Sequence, residues 1–335
     1  MRSTLSALLI LAFALTVPGS ASPARARKAA NQIRIATLAP RNTELTRGFA
    51  KIDRELKKAT QGKWGVDLYA AGVAGDERDV IRKMRVGQMD ASIITTTGLS
   101  QIVREVAVLD VPGVINNYKQ LDRVLNAMLG EWNSSFDKAG FELIEWGESG
   151  QYRFFSKRPL RSPGDLRNMR PWLWPESHVM KEMLRALGAT GVPLGVPEVY
   201  GGLQTKMVDA VMASSLAVVA LQWHAKMNHV TTETSGVLLG AMIVSEKKWN
   251  SIPADVRPIV AEAFKRHTRG AARNVRKDDS KAFKRLVAKR YTATTYSEDG
   301  KREWARMVKM VQKRLTGRAF PKVLLDKVLK AAGGG

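Results

Sequence analysis

The feature that most constrains this chain is an alternation of short apolar segments with amphipathic ones that runs to about residue 150 and then begins again. Ile33, Ile35 and Thr37 alternate as a strand does, whereas Leu45, Phe49, Ile52 and Leu56 recur every three or four residues and share one helical face. Gly62 ends that helix, and residues 66–69 read as the next strand. Val80, Ile81 and Met84 mark a short helix. Residues 91–94 form a continuously apolar strand of the buried kind. Leu121, Val124, Leu125, Met128 and Leu129 mark a longer helix, and residues 141–146 a further strand. The second round starts at Arg153, Phe154 and Phe155. It places strands at 169–174, 208–212 and 237–244, with one helical face on Val179, Met180, Met183, Leu184 and Leu187 and another on Val199, Tyr200, Leu203 and Met207. Such alternation predicts an α/β fold with mixed, mostly parallel sheets. Two rounds predict two lobes, and the cleft between lobes is where small ligands sit.

Compartment follows from the first residues. Arg2 precedes an apolar run at 5–17, and Pro18, Gly19, Ser20 and Ala21 supply the small residues of a signal-peptidase site. The run is shorter than the roughly 20 residues that span a bilayer. A secretion signal over residues 1–24, cleaved after Ala21, Ala24 or Ala26, therefore predicts a soluble protein of the periplasm. The chain has no cysteine, which excludes disulfides, thiolate metal sites, thiol nucleophiles and a lipid anchor through cysteine.

The net charge is +23. Its densest cationic stretch comprises Lys265, Arg266, Arg269, Arg273, Arg276, Lys277, Lys281, Lys284, Arg285, Lys289 and Arg290. All lie on one predicted helix, where such a run reads as a solvated face. Export argues against a nucleic-acid partner. Catalytic patterns are also missing. His178, His224, His229 and His267 have no neighbour at metal-ligand spacing, residues 147–150 (GESG) are not a nucleophile elbow, and no glycine-rich phosphate loop follows a strand. The expectation is a binding protein with no cofactor and no metal, and not an enzyme.

Several stretches carry a family likeness: IRIATLAP at 33–40, RVGQMDA at 85–91, VLDVP at 108–112, PGDLRNMR at 163–170, and above all LGA at 187–189 with EVYGGLQT at 198–205 and Val208-Asp209. Asn228-His229-Val230, Lys248-Trp249 and Ile252-Pro253 continue it. With these motifs the chain resembles the DctP-type periplasmic substrate-binding proteins of tripartite ATP-independent periplasmic (TRAP) transporters. The resemblance implies two lobes that close on a solute. Lobe I would take residues 31–150 plus about 235–255, and lobe II residues 151–234 plus about 290–335. A long helix at about 255–289 would span both. It also implies TRAP membrane permease subunits as partners. One branch of the family is associated with a tetratricopeptide-repeat (TPR) protein of the periplasm.

The departures from the family pattern concern the ligand. Where relatives hold a carboxylate with arginine, this chain has Trp172, two residues past Arg170 and two before Trp174. A second arginine position is filled by Tyr152, with Arg153 beside it. Ala213 follows Met212 where an asparagine is usual, and Leu38 and Thr95 stand at first-lobe contact positions. Taken as the ligand-binding set, Trp172, Tyr152, Arg153, Trp174, Met212, Ala213, Leu38 and Thr95 imply an apolar or uncharged solute, because a carboxylate buried without a partner costs several kcal/mol. Two alternatives stay open. One is an ordinary organic-acid receptor clamped by Arg153 or Arg170, with the tryptophans merely packed in the core. The other is a lipid or hydrophobe carrier that hands its cargo to a protein partner.

Overall fold

Five strands make the sheet of the first lobe: β1 (Asn31–Ala36), β2 (Trp64–Tyr69), β3 (Ala91–Thr95), β4 (Phe141–Gln151) and, after the second lobe has been built, the strand at Val237–Ser245. The structure, a computed structural model, describes residues 31–333, so the secretion signal read at residues 1–24 lies outside the described residues. The second lobe holds β5 (Arg153–Ser156), the short pair β6 (Trp172–Leu173) and β7 (Val192–Pro193), β8 (Ala210–Ala213) and β9 (His229–Thr231). The late first-lobe strand is then β10, and β11 (Thr292–Thr294) completes the second lobe. The orders are β2-β1-β3-β10-β4 and β11-β9-β5-β8.

Both sheets are mixed. β1 runs parallel to β2 and β3, and β11 parallel to β9, while every antiparallel pair between strands of these two sheets involves β5 or β10. These are the two strands fed directly by chain crossing from the other lobe. The helix-linked strands stay parallel, as crossover connections require.

Local chemistry explains most element boundaries. Helix Glu44–Ala59 opens on Thr43, whose side chain accepts from the Thr46 N–H, and it buries Phe49, Ile52 and Leu56 against the sheet. Asp90, in the RVGQMDA stretch, receives the Arg34 guanidinium in two bonds of 3.0 and 2.8 Å and so ties the start of β3 to β1. The long helix runs from Arg257 to Lys289 and packs on β4, on helix Glu44–Ala59 and on helix Ser215–Ala220, thus on both lobes.

Two readings of the sequence need correction. The strand expected at 169–174 shrinks to Trp172–Leu173, which pairs with Val192–Pro193, while Pro171 makes only an isolated bridge to Ala210. The last helix, Lys322–Ala332, returns to the first lobe and lies on helix Tyr118–Lys138; Lys327 pairs there with Glu131. Residues 290–335 therefore do not all stay with the second lobe. The apolar face of that helix (Leu324, Leu325, Val328) finds its partner at a distance that no local pattern encodes. No helix among the described residues is long and apolar enough to cross a membrane.

Candidate functional site: the cleft between the lobes

Two of the chain crossings between the lobes, after β4 and before β10, bond to each other. The Tyr152 N–H donates to the Gly236 carbonyl and the Ser235 N–H to the Tyr152 carbonyl, both at 3.0 Å. Gly150, just upstream, has φ +107, and a Cβ there would lie 2.4 Å from the Asp279 carboxyl carbon. Only glycine permits this approach of the crossing to the long helix. Asp279 uses it. Its carboxylate accepts the N–H groups of Gln151 (3.1 Å) and Leu216 (2.9 Å), pinning the crossing and the start of helix Ser215–Ala220 to one point of the long helix.

On the strand that leaves this crossing, neighbouring side chains diverge. Tyr152 faces the first lobe, where Asp110 and Glu77 are its charged neighbours, and burial pushes its phenol well above the usual range. Arg153 faces the other way. Its guanidinium stacks 4.2 Å over Phe283 and donates to the carbonyls of Thr231 and Thr232. Arg170 turns to Asp209, 3.2 Å away, on a half-exposed surface. Both arginines weighed as carboxylate clamps thus have protein partners, although the Arg153 Nε–H is buried without one.

The cleft wall of the first lobe is acidic and largely desolvated. Glu77 is 4% exposed. Its carboxyl meets the Thr95 N–H and hydroxyl at 2.8 Å each, and burial raises its pKa to about 8. Asp110 has one buried carboxyl oxygen without a hydrogen-bond partner, and burial raises its pKa to about 7. Near neutrality both carry a proton for much of the time; that of Glu77 faces the Thr95 hydroxyl, whereas Asp110 can donate as well as accept. Thr95, a predicted contact, does reach this wall, but as the partner of Glu77. Leu38 lies beside Gly72, where Pro197 of the second lobe also approaches.

Trp172 and Trp174 are 5% and 6% exposed, Ala213 4%. The two indoles stack with centroids 5.8 Å apart, and Trp223 meets Trp172 edge-on at 5.3 Å. The Trp172 indole N–H donates to the Leu194 carbonyl at 2.8 Å. Behind it Met180, Met183, Leu184, Phe154 and Met212 close the interior of the lobe. Trp172 therefore packs within the second lobe with its polar atom satisfied. It is not an exposed apolar wall awaiting a solute.

Asp76, which sequence reading passed over, links the lobes. One oxygen caps helix Glu77–Arg85 through the Glu77 N–H at 2.7 Å. The other crosses the cleft to the Trp174 indole N–H (3.1 Å) and the Val196 N–H (3.0 Å). Gln101 donates to the Glu176 carbonyl at 3.2 Å, and Arg78 pairs with the Glu176 carboxylate at 3.3 Å. Gly195 is needed beside this junction, since a Cβ there would fall 2.8 Å from the Asp76 carboxylate. These contacts exist only when the lobes meet. Asp76→Asn keeps the cap oxygen but turns an N–H group toward two donors, so it should favour the open arrangement. The expected result is a larger radius of gyration by small-angle X-ray scattering; a profile identical to the parent would count against an interlobe latch.

Two α/β lobes joined by bonded crossings and a spanning helix, with polar groups gathered where they meet, define a two-lobed solute-binding protein. The chain belongs to the DctP family, described as bacterial extracellular solute-binding protein, family 7, whose model matches residues 35–317. It is 25% identical over 279 residues to the C4-dicarboxylate-binding periplasmic protein DctP of Rhodobacter capsulatus, covering 82% of this chain and 81% of that one. A TRAP periplasmic solute-binding protein from Shewanella oneidensis, solved with bound succinate, superposes with a TM-score of 0.83 at 18% identity, over 90% of this chain and 99% of that one. One from Xanthobacter autotrophicus Py2, solved with bound β-D-galacturonate, gives a TM-score of 0.81 at 19% identity, over 91% and 100%.

Proposed function

We propose that this protein is the periplasmic receptor of a TRAP-type uptake system, which captures a small organic acid between its lobes and delivers it to the membrane permease subunits. The observation that carries this reading is the cross-cleft junction, in which Asp76 holds Trp174 and Val196 of the facing lobe. A solute bound between the lobes would add to contacts that only the closed state makes, and so shift the population toward closure. The family is a solute-binding component of transport, and the named relatives carry succinate, galacturonate and C4-dicarboxylates. An apolar solute, expected from Trp172 and Ala213, gains no support from those relatives, and both residues are interior packing here.

The chemistry open to an acid in this cleft is hydrogen bonding more than ion pairing. The Tyr152 phenol stays protonated, and Asp110, at about 7, is protonated for part of the time near neutrality, so these two can donate to a carboxylate or hydroxyl oxygen, while Glu77 spends both its oxygens on Thr95. A ligand that binds only the folded chain stabilises it by mass action. We expect C4-dicarboxylates or sugar acids to raise the thermal midpoint, and Tyr152→Phe to weaken the effective compound about tenfold, the worth of one hydrogen bond to a charged group. If fatty acids, isoprenoids or aromatic compounds stabilise the protein and no acid does, the organic-acid reading fails.

A further inference from the structure

The long helix Arg257–Lys289 carries a second feature, on the side turned away from the core. Arg266, Arg269, Arg273, Arg276, Lys277 and Lys284 recur at spacings of three, four and seven and so share one face. Val260, Phe264, Thr268 and Leu286 hold the opposite, buried face. From Arg266 to Lys284 the stripe is about 27 Å long at 1.5 Å per residue. Most of the acids nearby are already used, with Glu262, exposed on the same face and lining the same groove, left over against the surplus of cations. Arg266 pairs with Glu55, Arg269 with Glu145 (2.6 Å), and Arg276 with both Asp122 and Glu148. Arg273, Lys277 and Lys284 are exposed and bond to no described residue, as are Arg285 and Lys289 further along. Between β4 and the helix runs a shallow groove of about 650 Å³, lined by Trp146, Lys265, Arg269, Arg273 and Arg276 among others.

We propose that this cationic face docks the protein onto a bilayer surface bearing anionic phospholipid. The occupant follows from what the face offers. It presents a straight row of long, flexible cations and exposes almost no apolar side chain, whereas protein–protein contacts concentrate aromatic and aliphatic groups and exclude lysine from their centre. A row of this kind recognises the density of negative charge on a plane, and each cation near such a surface adds to the attraction. Docking of this sort confines the receptor to the plane in which a membrane permease sits. It leaves the cleft free, because the cleft groups Asp76, Tyr152 and Trp174 are not on this helix.

Co-sedimentation of the purified protein with vesicles tests the assignment. Phosphatidylglycerol-containing vesicles should carry the protein down in 0.1 M salt or less, and pure phosphatidylcholine vesicles should not. Molar salt should release it, because the screening length then falls to about 3 Å. The triple variant Arg273→Glu, Lys277→Glu, Lys284→Glu should lower the partition coefficient at least about tenfold, with an unchanged circular dichroism spectrum. The triple variant Arg306→Glu, Lys309→Glu, Lys330→Glu has the same net charge but alters exposed positions on other helices, and it should retain most of the binding. Equal losses in the two variants would reduce the effect to net charge and overturn the proposal. So would failure to bind anionic vesicles, and so would capture by polyglutamate or an oligonucleotide without capture by vesicles, which would assign the face to an acidic protein or a nucleic acid instead.

Discussion

Replacing Asp279 by alanine is expected to lower the folding stability by about 3–5 kcal/mol, read as a fall in the urea midpoint at an unchanged slope. The size follows from how many groups lose their partner at once. The N–H groups of Gln151 and Leu216 would be left without an acceptor beside the long helix. Burying an unpaired donor costs about 1–3 kcal/mol each. Arg153, whose guanidinium lies in the field of Asp279, would lose that opposite charge as well. The surroundings of Gly150 are already tight: a Cβ there would lie 2.4 Å from the Asp279 carboxyl carbon and 2.8 Å from the Ser214 Cβ. A loss below about 1 kcal/mol would mean that the crossing is held by the strand pairs on either side and not by Asp279.

Asp279 also illustrates what the sequence hides. Beside Asp278 in a helix crowded with lysine and arginine, Asp279 looks like one more solvated charge, yet it is 4% exposed. Its role depends on Gly150, more than a hundred residues away, coming within reach. By contrast, Phe49, Ile52 and Leu56 announce their helix and its buried face from spacing alone, and the observed helix Glu44–Ala59 obeys it. The periodicity of apolar residues was enough for the two α/β rounds because it reports burial, which is local to each element. The family motifs identified the family, and they fall on strands, short helices and their ends, away from the two bonded crossings.

Neither signal could tell which way Tyr152 and Arg153 point, since one step along a strand exchanges the two faces. Nor could either place the indole of Trp172, which looks like a ligand wall in an alignment and is internal packing in three dimensions. Asp76 did carry a readable local signal, an acid opening a helix whose first turn is itself acidic. Its second oxygen reaches a lobe built a hundred residues later, and that contact has no trace in spacing.

Stability is expected to fall by several kcal/mol as pH rises from 5 to 8.5, against the trend of proteins whose carboxylates are held in ion pairs. Glu77, with a pKa of about 8, and Asp110, at about 7, are both raised by burial above the ordinary carboxylate range. An acid whose pKa is higher in the folded chain binds more protons folded than unfolded, so stability declines with pH between the unfolded and folded values. For Glu77 that window runs from 4.5 to about 8. At 1.36 kcal/mol per pH unit its full effect is about 3–5 kcal/mol.

Asp76, Asp279, Glu142 and Glu148 are raised by burial as well and act in the same direction. His178 and His229 are pushed down by burial and oppose the trend, but only below the ordinary histidine value of 6.5. Above pH 6.5 the histidines no longer oppose it, so the net fall should be steepest from there to about pH 7 and continue, on Glu77 alone, to about 8. Glu77→Gln keeps an oxygen for the Thr95 N–H and an amide that can donate to the Thr95 hydroxyl, with no proton to lose. Urea unfolding of this variant should show a clearly flatter profile across that interval, and greater stability than the parent at pH 8.5. A parent whose stability is level or rising from pH 6.5 to 8 would mean that Glu77 and Asp110 ionise freely. Asp110 would then present a carboxylate to an incoming acid in place of a donor, and the hydrogen-bonding account of solute capture would lose its basis.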